Sequence, residues 1–269
     1  MRILICGDVV GRSGRDALAK RLADLRKNLA LDLVVVDVDN AAHGFGVTPE
    51  IAGQILDMGA DILTGGNHLF DHGEMVAVLE SEKRLLRPAN MPSTTPGSGV
   101  GELTTQKGQK LLVVHLLGQT NMPVIGENPF DYMNRLLQKY RMGGNVQAIV
   151  VEFHAEVTSE KNALGHFLDG RVSVVVGTHT HIPTADVRIL EHGTAFQTDV
   201  GMCGDYDSVI GMRKEFIVER FMSGYNHKKF APAIGEATIC GLLVELDDKT
   251  GLATSAKPLI LGGLLKSTE

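Results

Sequence analysis

Apolar residues in this chain fall into short continuous runs separated by longer segments with helical spacing. Arg2–Cys6 and Leu33–Val36 read as strands buried on both faces. Between them Leu18, Leu22, Leu25 and Leu29 recur at the spacing of one helix face. Thr48–Pro49 predicts a helix start, a hydroxyl cap followed by proline in the first turn, and Ile51, Ile55 and Met58 form its apolar stripe. Asp61–Thr64 predicts a third strand and Glu74–Leu79 a short helix. This βαβαβ order implies parallel strands joined by crossover helices.

The second half is richer in strands. Leu111–His115, Gln147–Val151 and Val172–Val176 are apolar and β-branched. Asn128–Pro129 opens a helix carrying Met133, Leu136, Leu137 and Tyr140, and Thr158–Leu168 reads as another. Further strands are expected at Ala185–Ile189, Thr194–Gln197, Ile239–Glu245 and Leu252–Pro258. The short turns at His192–Gly193 and Lys249–Thr250–Gly251 imply antiparallel pairing. The fold class is therefore α/β, with two sheets, at least one of them mixed, and helices outside. No linker-like stretch and no fixed-period repeat interrupts residues 1–269, which are expected to form a single domain.

Composition narrows the function. The apolar share of 43 % and the charged share of 22 % are those of a globular protein. A net charge of −6 argues against bulk nucleic-acid binding. It leaves room for a small phosphorylated substrate, because bound cations can invert the local field. Cys6, Cys203 and Cys240 are far apart and suggest neither a thiolate metal site nor a disulfide framework. No apolar run approaches membrane-spanning length, and no leader-like segment opens the sequence, so a cytoplasmic protein is expected.

The chemistry lies where the apolar runs stop. The first strand ends in Gly7–Asp8, the second in Asp37–Val38–Asp39–Asn40, and the third leads to Gly65–Gly66–Asn67–His68. Gln147–Val151 leads to Glu152–Phe153–His154, and Val172–Val176 to Gly177–Thr178–His179–Thr180–His181. Ligands of open α/β sheets collect at the carboxyl ends of parallel strands. Carboxylate, amide and imidazole donors suit Mn, Fe, Zn or Mg. Two such ions roughly 3.5–4 Å apart clamp a phosphoryl group and activate water for in-line attack. In an extended segment His179 and His181 would point to the same side, serving one ion or one each.

Each position also has a plain structural use. Asp8 could cap a turn, Asn40 could be a loop amide, Asn67–His68 could belong to a tight turn, and His154 could be a satisfied buried histidine. Five strands all ending in ligand types are harder to explain that way. His68 diverges from Asn67 and could protonate a leaving alkoxide from the substrate side. His43, His72, His115, His166, His192 and His227 lack comparable neighbours.

These segments resemble the calcineurin-like metallophosphoesterases, and among them the bacterial YmdB-like branch, over nearly the whole chain. The carrying stretches are Gly7–Asp8–Val9–Val10–Gly11, Asp39–Asn40–Ala41–Ala42, Gly66–Asn67–His68, Phe153–His154–Ala155–Glu156 with Thr158–Ser159–Glu160–Lys161, Gly177–Thr178–His179–Thr180–His181, and Thr198–Asp199–Val200–Gly201–Met202. The resemblance implies a four-layer α-β-β-α sandwich with a dinuclear site. By analogy Asp8, Asn40 and His181 hold one ion, Asn67, His154 and His179 hold the other, Asp39 bridges them, and His68 assists the leaving group. Many relatives carry a histidine where this chain has Val10. The YmdB-like branch shares that feature, with Asn40 as the substitute. The bridging position is usually Glu in the branch. Here it is the shorter Asp39, with Asp37 on the same face if the strand continues.

The branch is associated with hydrolysis of cyclic nucleotides, multimeric assembly, and Fe or Mn. The implied function is a metal-dependent phosphodiesterase in which a metal-bridging hydroxide attacks phosphorus in line and His68 is the general acid. The expected substrate is a small phosphodiester of the nucleotide type, the expected assembly a homo-oligomer, and no membrane partner is expected. The Gly201–Asp205 loop is expected to line the substrate pocket. The same ligands would serve a phosphomonoesterase or protein phosphatase, or a weakly active nucleotide sensor.

Overall fold

The computed structural model describes residues 1–123, 126–225 and 229–268. The first half runs β1 (Arg2–Cys6), β2 (Asp8–Val9), α1 (Gly11–Asn28), β3 (Leu33–Asp37), α2 (Pro49–Asp57), β4 (Ile62–Thr64), α3 (Met75–Ser81), β5 (Leu85–Leu86), β6 (Val100–Thr104) and β7 (Lys110–Leu117). It continues through α4 (Pro129–Leu136), β8 (Ala148–His154), α5 (Thr158–Leu168), β9 (Val174–Thr178), β10 (Arg188–Ile189) and β11 (Ala195–Gln197). The chain closes with β12 (Met202–Asp205), α6 (Lys214–Ser223), β13 (Ala237–Leu246) and β14 (Ala253–Leu261).

Two mixed sheets result. One has the order β2-β12-β13-β1-β3-β4-β5, with β14 also paired to β13; the other has the order β10-β11-β9-β8-β7-β6. The run β1-β3-β4-β5 is parallel, as its crossover helices require. So is the run β7-β8-β9-β11. Hairpin-like neighbours supply the antiparallel pairs β6·β7, β10·β11 and β13·β14.

Strand alternation builds the layers. Ile3, Ile5, Val35 and Ile62 face Val113, Val150 and Val174 between the two sheets. Leu4, Cys6, Val34 and Val36 face outward onto Leu18 and Leu22 of α1 and Ile55 of α2. Leu112, Ile149 and Val175 turn the other way, onto Met133 of α4 and Leu164 and Leu168 of α5. Both faces of each sheet are therefore dry, which is why the central strands are unbroken apolar runs. The architecture is the four-layer α-β-β-α sandwich that the resemblance implied.

Most predicted elements are present within a few residues. Thr48 does cap α2, accepting from the Ile51 N–H at 3.3 Å. The Ala185–Ile189 strand shrinks to Arg188–Ile189, the two residues that find partners on β11. The sequence reading missed β2, β5, β6, β12 and α6. The first, second and fourth of these have two to four residues, and β6 alternates burial along an edge.

Candidate metal centre

The ends of β1, β3, β4, β8 and β9 lead to the residues named above, which the fold brings into two adjoining groups. Asp8 is fully buried. Its Oδ2 accepts the His179 backbone N–H at 3.1 Å, and its Oδ1 is buried with no hydrogen-bond partner. His181 Nε2 lies 3.6 Å from that bare oxygen and 3.2 Å from Asn40 Oδ1. Asn40 Nδ2 donates to the Gly44 carbonyl at 2.9 Å, which turns its oxygen toward His181. His181 Nδ1 lies 2.8 Å from the Ile210 carbonyl. A carbonyl only accepts, so Nδ1 carries a proton, and Nε2 is the nitrogen left facing Asp8 and Asn40, able to bind a metal once its own proton is gone.

The second group centres on His154 Nε2. It lies 3.1 Å from Asn67 Oδ1, 3.1 Å from His179 Nδ1 and 3.3 Å from Asp39 Oδ2. The other nitrogen of His154 faces inward, 3.0 Å from Thr178 Oγ1 and 3.3 Å from Asp37 Oδ2. His179 Nε2 points to Glu156 Oε2 at 3.2 Å. When those partners take the ring protons, His154 Nε2 is left free to donate a lone pair with three further donor atoms within 3.3 Å of it. A cation is what satisfies such a set. Ligand atoms each roughly 2.0–2.2 Å from one ion lie roughly 3–3.5 Å from one another, matching the spacings found here.

Charge distribution points the same way. Asp8, Asp37 and Asp39 crowd one buried region, and Asp8, Asp37 and His154 offer donor atoms all within 4.8 Å of one another. Burial alone would raise the Asp8 and Asp39 carboxyls; His181 acting on Asp8, and His154 acting on both, hold them below the usual carboxylate range instead. Burial, with His154 beside it, pushes His179 down to about 3, leaving a neutral imidazole fit to be a ligand. Burial likewise disfavours charge on His154, but Asp39 and Asp37 outweigh it and push that ring up. The donor set of carboxylate, amide and imidazole suits a hard or borderline divalent ion. All three cysteines are buried elsewhere as free thiols.

Several expectations are refined. His179 and His181 do not sit side by side on an extended strand. Both follow the end of β9 in left-handed backbone conformation, with φ of 87° and 66°. That turn sends their rings to different groups. Asp37 and Asp39 also part: Asp37 touches the inner nitrogen of His154, and Asp39 faces the outer one. Gly66 lets β4 approach the site, since a Cβ there would run into the His154 ring. His115 is not the isolated residue its sequence neighbours suggested. It is wholly buried, 3.4 Å from Glu152 Oε1, and burial pushes it down to about 4. Burial also pushes the Glu152 carboxyl up to about 7. His43, His166 and His192 are exposed. His72 Nε2 faces the Phe45 carbonyl at 3.1 Å, and His227 lies outside the described residues.

His68 lines a cavity of about 340 Å³ beside both groups. Its backbone N–H donates to Asp39 at 3.0 and 3.2 Å, and its ring Nδ1 lies 2.7 Å from Asp71 Oδ2. The Gly201–Asp205 segment does not line that cavity. It carries β12, buried between β13 and β2.

One supporting group had no assigned part. Lys161, fully buried in α5, donates to the Thr178 carbonyl at 2.7 Å and to Asp199 Oδ2 at 2.8 Å. Asp199 also accepts from the N–H and hydroxyl of Thr180 at 3.1 and 2.6 Å. The ion pair thus ties down the residues flanking His179. The sequence signals were a lysine on an otherwise apolar helix face and the place of Lys161 and Asp199 in stretches that carry the family resemblance.

A four-layer sandwich with Asp, Asn and His gathered at its strand ends defines a metallophosphoesterase. The YmdB-like protein family matches residues 4–259, and the chain belongs to that family. The 2′,3′-cyclic-nucleotide 2′-phosphodiesterase of Bacillus subtilis (strain 168) is 40 % identical over 261 residues, covering 97 % of this chain and 97 % of that protein. A hypothetical protein from Thermus thermophilus superposes with a TM-score of 0.90 at 39 % identity, over 98 % of this chain and 100 % of that one. The crystal structure of a novel phosphatase of Mycoplasma pneumoniae also gives 0.90, at 33 % identity, over 97 % of this chain and 93 % of that one. Among the described residues no helix is long and apolar enough to cross a membrane.

Proposed function

We propose that this phosphoric ester hydrolase is a dinuclear-metal phosphodiesterase acting on nucleoside 2′,3′-cyclic phosphates, with residues 1–269 as one catalytic domain. The observation that carries the reading is the pairing of two groups of potential metal-donor atoms, His154 Nε2 with Asn67, His179 and Asp39, and His181 Nε2 with Asn40 and the bare Asp8 oxygen. The cyclic substrate is suggested by the Bacillus subtilis relative.

Asp8, Asn40 and His181 would hold one ion, Asn67, His154 and His179 the other, and Asp39 would reach both. Fe or Mn fits the oxygen and nitrogen donors, with Zn and Mg as alternatives. Bound ions supply Lewis-acid activation of water and neutralise phosphoryl charge. The chain's own part is to orient and to move a proton. Asp71 holds the proton on His68 Nδ1, so Nε2, when charged, gives its proton to the departing ribose oxygen. Asp39 fixes the His68 backbone and so the entry angle of the ring. A homo-oligomer in the cytoplasm is the proposed context, and the large apolar side chains left exposed at Phe221, Met222 and Ile234 support the assembly alone.

A phosphomonoesterase is the second reading. Arg220 lines the cavity and is a cation of the kind a phosphate dianion would use. The test is turnover of 2′,3′-cyclic AMP and of adenosine 3′-phosphate by metal-stripped protein as Mn²⁺ is returned, with Asp8→Ala alongside. Metal-dependent opening of the cyclic ester that stops at the monoester and vanishes in the variant supports the first reading. Turnover of the monoester alone replaces it with the second. Turnover of neither by metal-loaded protein removes both, and a nucleotide-sensing role takes their place.

A further inference from the structure

We infer that the cavity beside His68 is a nucleobase pocket, in which Arg220 and Phe230 form the stacking surface that selects a nucleoside cyclic phosphate by its base. The inference rests on the phosphodiesterase reading. His68 and His181 form the reactive side of the cavity. The remaining lining includes Phe45, Ile210 and Phe230, with Arg220 the only Lys or Arg among the described lining residues.

A phosphoryl group has no use for that apolar surface. It lies next to the proposed proton donor, where the ribose oxygen that receives the proton, and the nucleoside that carries it, must sit. A nucleobase has flat apolar faces and polar edges, and aromatic and guanidinium planes bind such faces by stacking. The Arg220 guanidinium carbon already lies 5.2 Å from the Phe230 ring centre, so the two side chains present one joint surface. Phe45 meets the His68 ring edge-on, with centroids 5.1 Å apart. An apolar wall is thereby coupled to the proton donor. Ile210 is anchored through its carbonyl to His181 Nδ1 at 2.8 Å, which sets the wall's distance from the metal group. None of the wall residues supplies a proposed metal ligand. Recognition of the base is therefore separable from catalysis of ester opening.

The test compares 2′,3′-cyclic AMP with ribose 2′,3′-cyclic phosphate, which has no base, using metal-loaded full-length protein and the variants Arg220→Ala and Phe230→Ala. Thermal unfolding confirms that each variant is folded. The expected result is a rise in KM for cyclic AMP of about 5- to 100-fold, with kcat kept within about twofold and the base-free substrate unaffected. Equal losses on both substrates would overturn the inference and assign Arg220 to the phosphate. No change on either substrate would overturn it as well. If the wild-type protein opens neither cyclic ester, the phosphodiesterase reading has failed separately. Calorimetric titration with adenosine 3′-phosphate and ribose 3-phosphate then decides the pocket. Tighter binding of the adenosine ligand that both variants abolish supports it, and equal binding of the two overturns it.

Discussion

His68 and Asp71 are joined ring to carboxylate, with Nδ1 and Oδ2 2.7 Å apart, three residues from one another in the turn that follows β4. The contact fixes which nitrogen of His68 faces the cavity. It also separates the residue's two tasks, since the hold on Asp39 comes from the backbone N–H and survives loss of the ring.

The first expectation concerns this pair. His68→Ala should lower kcat by about 10²–10⁴-fold, the usual share of a positioned general acid, while bound metal stays constant. Asp71→Asn should cost less, on the order of 10–100-fold, as loss of an orienting partner does. Steady-state kinetics with metal analysis of the same samples checks both. Metal loss in His68→Ala would remove the acid assignment.

Asp37 and Asp39 should separate by metal affinity. Asp39 faces the outer nitrogen of His154 and Asp37 the inner one. Asp37→Asn, which removes an orienting carboxylate, should weaken metal binding about 10–100-fold, and Asp39→Ala should exceed that range. Competition with a chromogenic chelator measures the two. The opposite order would move the bridging role to Asp37.

The buried Lys161–Asp199 pair should matter to stability and to the His179 turn together. Lys161→Met leaves Asp199 buried without its cation, a change that typically costs about 3–5 kcal/mol. The double variant Lys161→Met with Asp199→Asn should regain part of that loss in urea unfolding, because no lone charge remains. Both variants should bind metal more weakly, since Thr178 and Thr180 lose their common anchor. Unchanged metal affinity in an otherwise destabilised protein would reduce the pair to a fold-stabilising role.

Gly66→Ala should displace the His154 ring, which occupies the space of the new Cβ. Overpacking of this kind costs about 1–3 kcal/mol. Metal held by the His154 group should weaken more than metal held by the His181 group. Sequential release of two ions in a chelator titration would show it, and a symmetric loss would contradict it.

How much of this could be read without the fold differs from one residue to the next. Arg2–Cys6 and Gln147–Val151 announced themselves because strands covered on both faces must be apolar at nearly every position. Edge strand β6, with Gly, Glu and Thr inside it, is half exposed and has no such signature. Helix α6 buries only Ile217 and leaves Phe221 and Met222 in solvent, so its pattern does not mark a core-facing face. His115 and Glu152 gave no hint of their pairing, because β7 and β8 meet in register only once the second sheet forms.

By itself the sequence determined the α/β alternation, the central strands and the ligand types at their ends, because period and residue chemistry are local properties. Only the tertiary structure decided that His179 and His181 part company, that Asp39 and not Asp37 faces the outer nitrogen of His154, and that Lys161 and Asp71 belong to the site. Those relations depend on two sheets stacking at one relative position and on backbone turns after β4 and β9. Such geometry is set by long-range packing, and no spacing along the chain encodes it.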